Sequence, residues 1–172
     1  MKYIRCMNNR LTITLLLAAL LTGGNVSAQG VKVKGNVYGG GNAADVLTNS
    51  TVNITAGQVG EGPVDNDHGN VFGGGKGQAT IVQGNVIVNI GKDTDGSYSG
   101  TGTVLGSVYG GSALGAVNAS RNGNTLEYNS PATTQVNILQ GSINGSVYGG
   151  GLGQTSPSDI VANSFGDVSI TM

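Results

Sequence analysis

Four copies of a glycine-rich phrase constrain the fold of this chain more than any other feature of its sequence. The copies read "GNVYGGG", "GNVFGGG", "GSVYGGS" and "GSVYGGG", and their valines, Val37, Val71, Val108 and Val147, lie 34, 37 and 39 residues apart. A second phrase, Val-x-Ile, follows each copy, in "TVNI", "IVNI", "QVNI" and "DVSI". Two motifs that alternate four times at this period indicate a solenoid, a propeller or another repeat array.

The Val-x-Ile phrase predicts β-strands. In "STVNITAG" the apolar Val52 and Ile54 alternate with polar residues, which sends the apolar side chains to one face of a strand. Beyond residue 28, no stretch spaces its apolar residues as a helix does over three turns. We therefore predict an all-β fold, a parallel β-solenoid (β-helix) of about four irregular repeats. Stacked repeats bury valines that one repeat cannot bury alone.

Stacking predicts that equivalent residues of the four repeats form rows. The valines named above form one row. The row of isoleucines is Ile54, Ile90, Ile138 and Ile170, and the row of aromatic rings is Tyr38, Phe72, Tyr109 and Tyr148. The aromatic row is a candidate stacking ladder, in which ring contacts stabilise the fold. The alternative, which we weigh lower, is a platform on which sugar rings stack.

The glycines after each Val-aromatic pair are predicted to form the corners of the coil. Glycine reaches positive φ at no steric cost and permits a sharp turn after a strand. In the third repeat Ser112 takes the place of the third glycine, so the first two are expected to carry the geometry. These corner glycines are Gly39, Gly40, Gly73, Gly74, Gly110, Gly111, Gly149 and Gly150.

The unequal intervals mark polar insertions between the phrases. The longest separates Val108 from Val136 and carries Asn-Gly and Ser-Pro turn signals. In solenoids such insertions emerge as loops on one face, which is often the binding face.

The first 28 residues predict a secretory signal peptide. Basic residues precede an apolar run from Leu11 to Leu21, and small residues at Val26 and Ala28 mark a cleavage site before Gln29. Residues 29–172 then form the repeat region, with no transmembrane segment after signal removal. The only cysteine, Cys6, leaves with the signal. The remaining chain has 5 basic and 9 acidic residues, so it lacks the basic face that nucleic acid requires.

The sequence gives little support to catalysis or to a cofactor. Beyond the signal, His68 is the only histidine and lies in a turn-rich run, where a solvated loop residue is expected. Paired carboxylates, Asp65 with Asp67 and Asp93 with Asp95, also lie in turn-rich stretches. We predict no enzyme, no cofactor and no metal site, and leave calcium binding by these pairs open. A calcium roll is disfavoured, since Asp45 is the only acidic residue at its motif position in four copies.

The alternation of "VYGGG" with "VNI" resembles the repeats of large exported proteins of Bacteroidetes. Those proteins are usually treated as surface or adhesin-like β-solenoids, and the resemblance covers nearly all of residues 31–172. It implies a secreted protein at the surface of, or outside, a Gram-negative cell. Such proteins are longer and end in a sorting or anchoring domain, whereas this sequence stops after "DVSITM". The repeat region is therefore expected to be incomplete at its C-terminus.

The expected function is a non-enzymatic, adhesin-like or structural surface protein that offers a repetitive polar binding face. Its expected partners are host or cell-surface glycans or proteins. End-to-end self-association is also expected, because Val168 and Ile170 in the last strand are patterned like interior residues. Two alternatives stay open: a carbohydrate-active β-helix lyase or hydrolase, and a purely structural fragment of a larger repeat protein.

Overall fold

The described chain is made of short β-strands. The computed structural model describes residues 31–62, 68–92 and 100–172, and within them the chain forms strands and no helix, which confirms the all-β prediction. The first repeat holds β1 (Lys32–Val33), β2 (Val37–Tyr38) and β3 (Ser50–Ile54). The second holds β4 (Gln58–Val59), β5 (Val71–Phe72), β6 (Ile81–Val82) and β7 (Val86–Ile90).

The third and fourth repeats follow the same plan. The third holds β8 (Thr103–Val104), β9 (Val108–Tyr109), β10 (Ala116–Val117), β11 (Ala119–Asn122), β12 (Thr125–Tyr128) and β13 (Thr134–Ile138). The fourth holds β14 (Ser142–Ile143), β15 (Val147–Tyr148) and β16 (Val168–Thr171). Strands β11 and β12 form an antiparallel hairpin, which is the longest insertion predicted from the sequence.

Three parallel sheets join the four repeats, and each repeat gives one strand to each sheet. The strand orders are β1-β4-β8-β14, β2-β5-β9-β15 and β3-β7-β13-β16. The glycine-rich phrase therefore forms the sheet β2-β5-β9-β15, and the Val-x-Ile phrase forms the sheet β3-β7-β13-β16. The prediction of parallel pairing between repeats is confirmed in all three.

Two further rows of pairing run across the same four repeats. Strands β6 and β10 pair in parallel, and isolated parallel bridges extend that row to Val46 at one end and Ser164 at the other. Single bridges form the other row, which reads Asn42, Lys76, Ala113 and Leu152. Each repeat thus passes through five rows in the same order, and backbone hydrogen bonds join equivalent positions of neighbouring repeats.

The core lies between the sheets and contains the apolar residues of alternating strands. Val71 and Val108 of the glycine phrase pack with Val88, Val136 and Ile90 of the Val-x-Ile phrase, and all five are fully buried. Val37 and Val147, in the first and last repeats, are only partly buried. Burial is therefore deepest in the two middle repeats, which are covered on both sides.

The predicted isoleucine row is correct for three repeats and wrong for the fourth. Ile54, Ile90 and Ile138 are paired in register, whereas Ile170 pairs with Val136. Strand β16 is displaced by two residues relative to the motif alignment. Because side chains alternate with a period of two, this displacement keeps the same residues on the inner face.

The prediction that the corner glycines adopt positive φ is wrong. None of the eight predicted corner glycines has φ in the left-handed region. The left-handed glycines beside the Val-x-Ile strands are instead Gly57, Gly91 and Gly141, with φ of 83°, 86° and 87°. The turn that requires positive φ therefore follows the Val-x-Ile phrase.

Close backbone approach explains why glycine recurs after the Val-aromatic pair. A Cβ atom at Gly39 or Gly73 would overlap the carbonyl oxygen of the equivalent glycine one repeat later. At Gly111 a Cβ would lie 2.6 Å from the Gly151 nitrogen and 2.9 Å from the Gly150 carbonyl carbon. The neighbouring repeat occupies the space that any other side chain would need.

The third glycine of the phrase is also constrained, contrary to the expectation drawn from Ser112. A Cβ at Gly75 would overlap Thr80 and Gly41, and one at Gly151 would overlap the Ser112 carbonyl oxygen. Ser112 itself is fully buried, and its hydroxyl accepts a hydrogen bond from the Gly75 amide at 3.0 Å. Serine is accommodated there because its hydroxyl satisfies a buried backbone donor.

Gly111 and Gly150 occupy the same motif position, which allows a matched test of this explanation. The space beside Gly150 is open, since the nearest atom to an added Cβ is the Ser164 hydroxyl at 4.0 Å. We expect Gly111→Ala to lower the free energy of unfolding by about 2 kcal/mol or more, because the added methyl overpacks the backbone. We expect Gly150→Ala to change it by less than about 0.5 kcal/mol. Urea denaturation measures both; equal losses would contradict the explanation.

Candidate functional site

The structure brings the four predicted aromatic rings into one continuous stack. Tyr38, Phe72, Tyr109 and Tyr148 pair in register on β2, β5, β9 and β15. Successive ring centroids are 5.0, 4.8 and 4.9 Å apart, and the ring planes differ by 5°, 9° and 13°. The separation equals the spacing of neighbouring strands in a sheet, so backbone pairing sets the ring contact.

Ring faces within the stack are occupied by other rings. Phe72 has a neighbour on both faces and is only 1% exposed, and Tyr109 lies between Phe72 and Tyr148. A sugar ring stacks on the face of an aromatic side chain, and the two middle rings have no free face to offer. Tyr148 is 47% exposed, and the Lys76 ammonium lies 5.9 Å from the centroid of Tyr38. This geometry favours the structural interpretation of the ladder over a sugar platform.

The environment of the ladder raises the pKa of the Tyr109 phenol. Burial raises its pKa above the ordinary value, a hydrogen bond with Ser107 opposes the shift, and the charge of Tyr148 adds to it. A raised folded-state pKa means that folding favours the protonated phenol. The resulting stability is present below the ordinary tyrosine pKa and is lost as pH rises through the folded-state value. Tyr109 therefore serves as an uncharged stacking residue at neutral pH.

Strands β3, β7 and β13 carry an amide ladder on their outer face. The side-chain amide of Asn89 donates to Asn53 Oδ1 at 2.8 Å, and that of Asn137 donates to Asn89 Oδ1 at 2.8 Å. Asn89, in the middle, is 5% exposed, so its hydrogen bonds replace those it would make with water. The sequence signal was the asparagine repeated in "TVNI", "IVNI" and "QVNI".

The outward residues beside the amide ladder, polar except for Ile87, extend it into an outer strip. We call this surface the polar strip, and define it by Thr51, Asn53, Ile87, Asn89, Gln135, Asn137, Ser169 and Thr171. Thr51, Gln135 and Ser169 are exposed, and none of the strip's side chains carries a charge. The strip therefore offers exposed, uncharged hydrogen-bonding groups in the first, third and fourth repeats, with Ile87 and the buried Asn89 between them in the second.

A second polar row ties the backbones of neighbouring repeats together. The Asn36 side chain accepts from the Asn70 amide nitrogen at 2.8 Å, and the Asn70 side chain accepts from the Ser107 amide at 2.7 Å. The Ser107 hydroxyl accepts from the Ser146 amide at 3.1 Å. These residues directly precede the valine of each glycine phrase, so their recurrence has a structural cause that the sequence analysis missed.

The β11–β12 hairpin is anchored to the first two repeats. Arg121 Nε lies 3.3 Å from Asp45 Oδ2, and Arg121 Nη2 donates to the Ala79 carbonyl at 2.6 Å. Asp45 Oδ1 also accepts from the Ile81 amide at 3.1 Å. Asp45, the one acidic residue at the calcium-roll position, is thus a structural anchor for the hairpin.

The candidate catalytic and calcium residues are placed only in part. Asp65, Asp67, Asp93 and Asp95 lie outside the described residues. His68 lies in the turn just before β5. Among the residues that the structure describes, no group of three or more His, Cys, Asp or Glu side chains comes close enough to hold a metal ion.

No family model, no curated protein and no solved structure matches the chain. Within residues 31–62, 68–92 and 100–172, no helix has the length and hydropathy needed to cross a membrane.

The ladder can be tested by comparing its middle with its last ring. We expect Phe72→Ala to lower the free energy of unfolding by about 3 kcal/mol or more, because it opens a cavity between two rings. Tyr148→Ala removes one ring contact from a half-exposed position, and we expect a loss of roughly 1 kcal/mol. Chemical denaturation of both variants measures the difference. A larger loss of unfolding free energy for Tyr148→Ala than for Phe72→Ala would contradict the claim that the middle rings contribute most to stability.

Proposed function

We propose that the chain is an exported, non-enzymatic surface protein, adhesin-like or structural, that binds through a repetitive polar face. The observation that carries the proposal is the polar strip, which presents exposed hydroxyl and amide groups of three repeats on one sheet. Parallel register fixes the distances between the exposed groups of these three repeats, and multivalent contact along the strip combines weak individual interactions.

We further infer that the five rows of pairing belong to a parallel β-solenoid. Each repeat visits the rows in the same order, and equivalent residues lie beneath one another. In a solenoid the strands of each repeat pair only with those of its neighbours, and insertions leave the coil without disturbing that pairing. The β11–β12 hairpin fits this architecture, since strands on either side of it keep their register.

The chemistry of the polar strip points to host or cell-surface glycans, or to proteins, as partners. Amide and hydroxyl groups both donate and accept, which suits the hydroxyl groups of a polysaccharide. The strip holds no Lys or Arg, so phosphate groups have no cation to pair with there. The aromatic ladder lies on a different sheet from the strip, and in this proposal it stabilises the fold and does not supply the contact.

The proposal places the protein at the surface of, or outside, a Gram-negative cell. Its support is the signal-like pattern of residues 1–28 and the resemblance of the alternating phrases to exported repeat proteins of Bacteroidetes. Two alternatives are kept: a carbohydrate-active lyase or hydrolase, and a structural segment of a larger repeat protein. The enzyme alternative depends on Asp65, Asp67, Asp93 and Asp95, the carboxylate pairs identified from the sequence.

Self-association through strand edges is a further part of the proposal. Strand β16 is at one edge of its sheet, and Val168 and Ile170 are 44% and 42% exposed. An unpaired edge with apolar side chains is a template for pairing with another chain. The partner we propose for this edge is a second copy.

Binding of residues 29–172 to a panel of immobilised glycans and to whole cells tests the proposal. We expect Thr51→Glu, which adds a charge to the polar strip, to weaken binding about tenfold, whereas Thr125→Glu on the exposed hairpin leaves it unchanged. Loss of binding in both variants, or in neither, would contradict the assignment of the strip. Release of soluble sugar from a bound glycan would instead support the enzyme alternative.

Light scattering across a dilution series of the same protein tests self-association. We expect the apparent mass to fall with dilution, because edge pairing is governed by mass action. A constant monomer at every concentration would overturn this part of the proposal and leave the binding face unaffected.

A further inference from the structure

The chain contains two Asn-Gly dipeptides beyond its first 28 residues; both are exposed, and they differ in how the glycine backbone is held. They are Asn122–Gly123 and Asn144–Gly145. In this dipeptide the glycine nitrogen can attack the asparagine side chain with little hindrance, because glycine has no Cβ. We propose that Asn122 is a site of spontaneous covalent modification, deamidation to aspartate and isoaspartate, and that Asn144 is protected by the fold.

The reaction needs only water as a co-reactant. The backbone nitrogen of Gly123 attacks Cγ of Asn122, a new C–N bond closes a five-membered imide ring, and the bond from Cγ to Nδ2 breaks. The departing nitrogen takes up a proton that the attacking nitrogen loses, and leaves as ammonia. Water then opens the imide at one of its two carbonyl groups. The products are aspartate or isoaspartate at position 122, and each carries one negative charge.

The tip of the β11–β12 hairpin leaves the attacking nitrogen accessible. Asn122, Gly123, Asn124 and Thr125 are all exposed. Gly123 adopts φ of 60°, and no atom lies within 4 Å of the position that a Cβ would take. In the part of the chain that the structure describes, the Gly123 amide donates no hydrogen bond. The nitrogen is therefore free to move toward the side chain without breaking a contact between repeats.

The same dipeptide at Asn144 is locked into the stack of repeats. The Gly145 amide donates to the Gly106 carbonyl at 2.9 Å, and the Asn144 amide donates to the Val104 carbonyl at 2.9 Å. A Cβ at Gly145 would lie 2.6 Å from the Gly106 carbonyl carbon, so the backbone has no room to shift. Attack by the Gly145 nitrogen requires the fourth repeat to separate locally from the third. Because such local opening is rare, the reactive geometry is rarely populated.

Modification of Asn122 would change the electrostatics of the hairpin. The Asn122 side-chain amide donates to Glu127 Oε1 at 2.7 Å across the hairpin. Deamidation replaces this donor with a carboxylate, so the hydrogen bond is lost and two negative charges face each other. The two residues are diagonal neighbours, since Asn122 pairs with Thr125 and Glu127 with Ser120, and like charges this close on paired strands are destabilising. The Arg121 anchor to Asp45 uses different atoms, so we infer that the tip loosens while the base of the hairpin stays attached.

Incubation of the folded full chain at mildly alkaline pH, followed by peptide mapping with mass spectrometry, tests the proposal. The two sites are compared within the same molecules, so each serves as the control for the other. We expect Asn122 to deamidate about tenfold faster than Asn144 or more, since reaction at Asn144 requires local opening. In denaturant we expect the two rates to converge, because both dipeptides then have the same flexible backbone.

An Asn122→Asp variant supplies the chromatographic standard for the aspartate product, and Asn122→Gln is expected to remove the mass shift from the hairpin peptide. Equal rates at Asn122 and Asn144 in the folded chain, or a faster rate at Asn144, would overturn the proposal. A rate difference that persists in denaturant would also overturn it, because the difference would then come from local sequence and not from the fold.

Discussion

Backbone hydrogen bonds between equivalent positions of neighbouring repeats are the constraint on which the rest of this structure depends. They hold each repeat at the spacing of β-sheet strands, about 4.8 Å from the next. Each side chain must therefore pack directly against the side chain at the equivalent position of the next repeat. Flat rings meet this condition by stacking, with centroids 4.8 to 5.0 Å apart. Asparagines meet it by bonding amide to amide, and glycines meet it by having no side chain.

The same spacing between repeats determines which side-chain groups of the aromatic and amide ladders remain exposed. A ring stacked on both faces, as Phe72 and Tyr109 are, presents only its edge to solvent, so the middle of the aromatic ladder contributes stability to the fold. The amide ladder also uses part of its hydrogen-bonding capacity internally, yet Thr51 and Gln135 beside it remain exposed. Repetition thus builds a scaffold whose outer strip is uncharged, with Ile87 interrupting the exposed polar groups in the second repeat. Variation enters through the insertions, of which the β11–β12 hairpin is the largest one described.

Motif alignment predicted most of the pairing correctly because each phrase carries its own register. Val37 pairs with Val71, and Tyr38 with Phe72, as the alignment of the glycine phrases predicts. The alignment failed at Ile170, because a two-residue displacement leaves the alternation of inner and outer residues unchanged and the sequence cannot distinguish the two registers. Contacts with Gly149 do distinguish them, since Val168 stands beside Gly149 as Val86 stands beside Gly73.

Other errors came from residue types that have more than one physical use. Glycine is used where the backbone needs positive φ, and also where a neighbouring backbone comes too close for a Cβ atom. The structure shows that Gly73 and Gly111 belong to the second case. No role was assigned from the sequence to the asparagine before the valine, although Asn36 and Asn70 accept hydrogen bonds from the next repeat. The sequence did carry a signal for this role, because an asparagine or a serine directly precedes the valine in every glycine phrase.

Disulfide cross-linking in a chain that lacks Cys6 tests the register of the repeats most directly. The structure pairs Asn137 with Thr171, whereas the motif alignment would pair Asn137 with Ser169. Cysteines bridge only when their Cα atoms lie within about 7 Å, which holds for directly paired residues of adjacent strands. The account predicts efficient oxidation of the Asn137→Cys/Thr171→Cys variant and little oxidation of Asn137→Cys/Ser169→Cys. The reverse result would contradict the register of β16 and would restore the motif alignment in the fourth repeat.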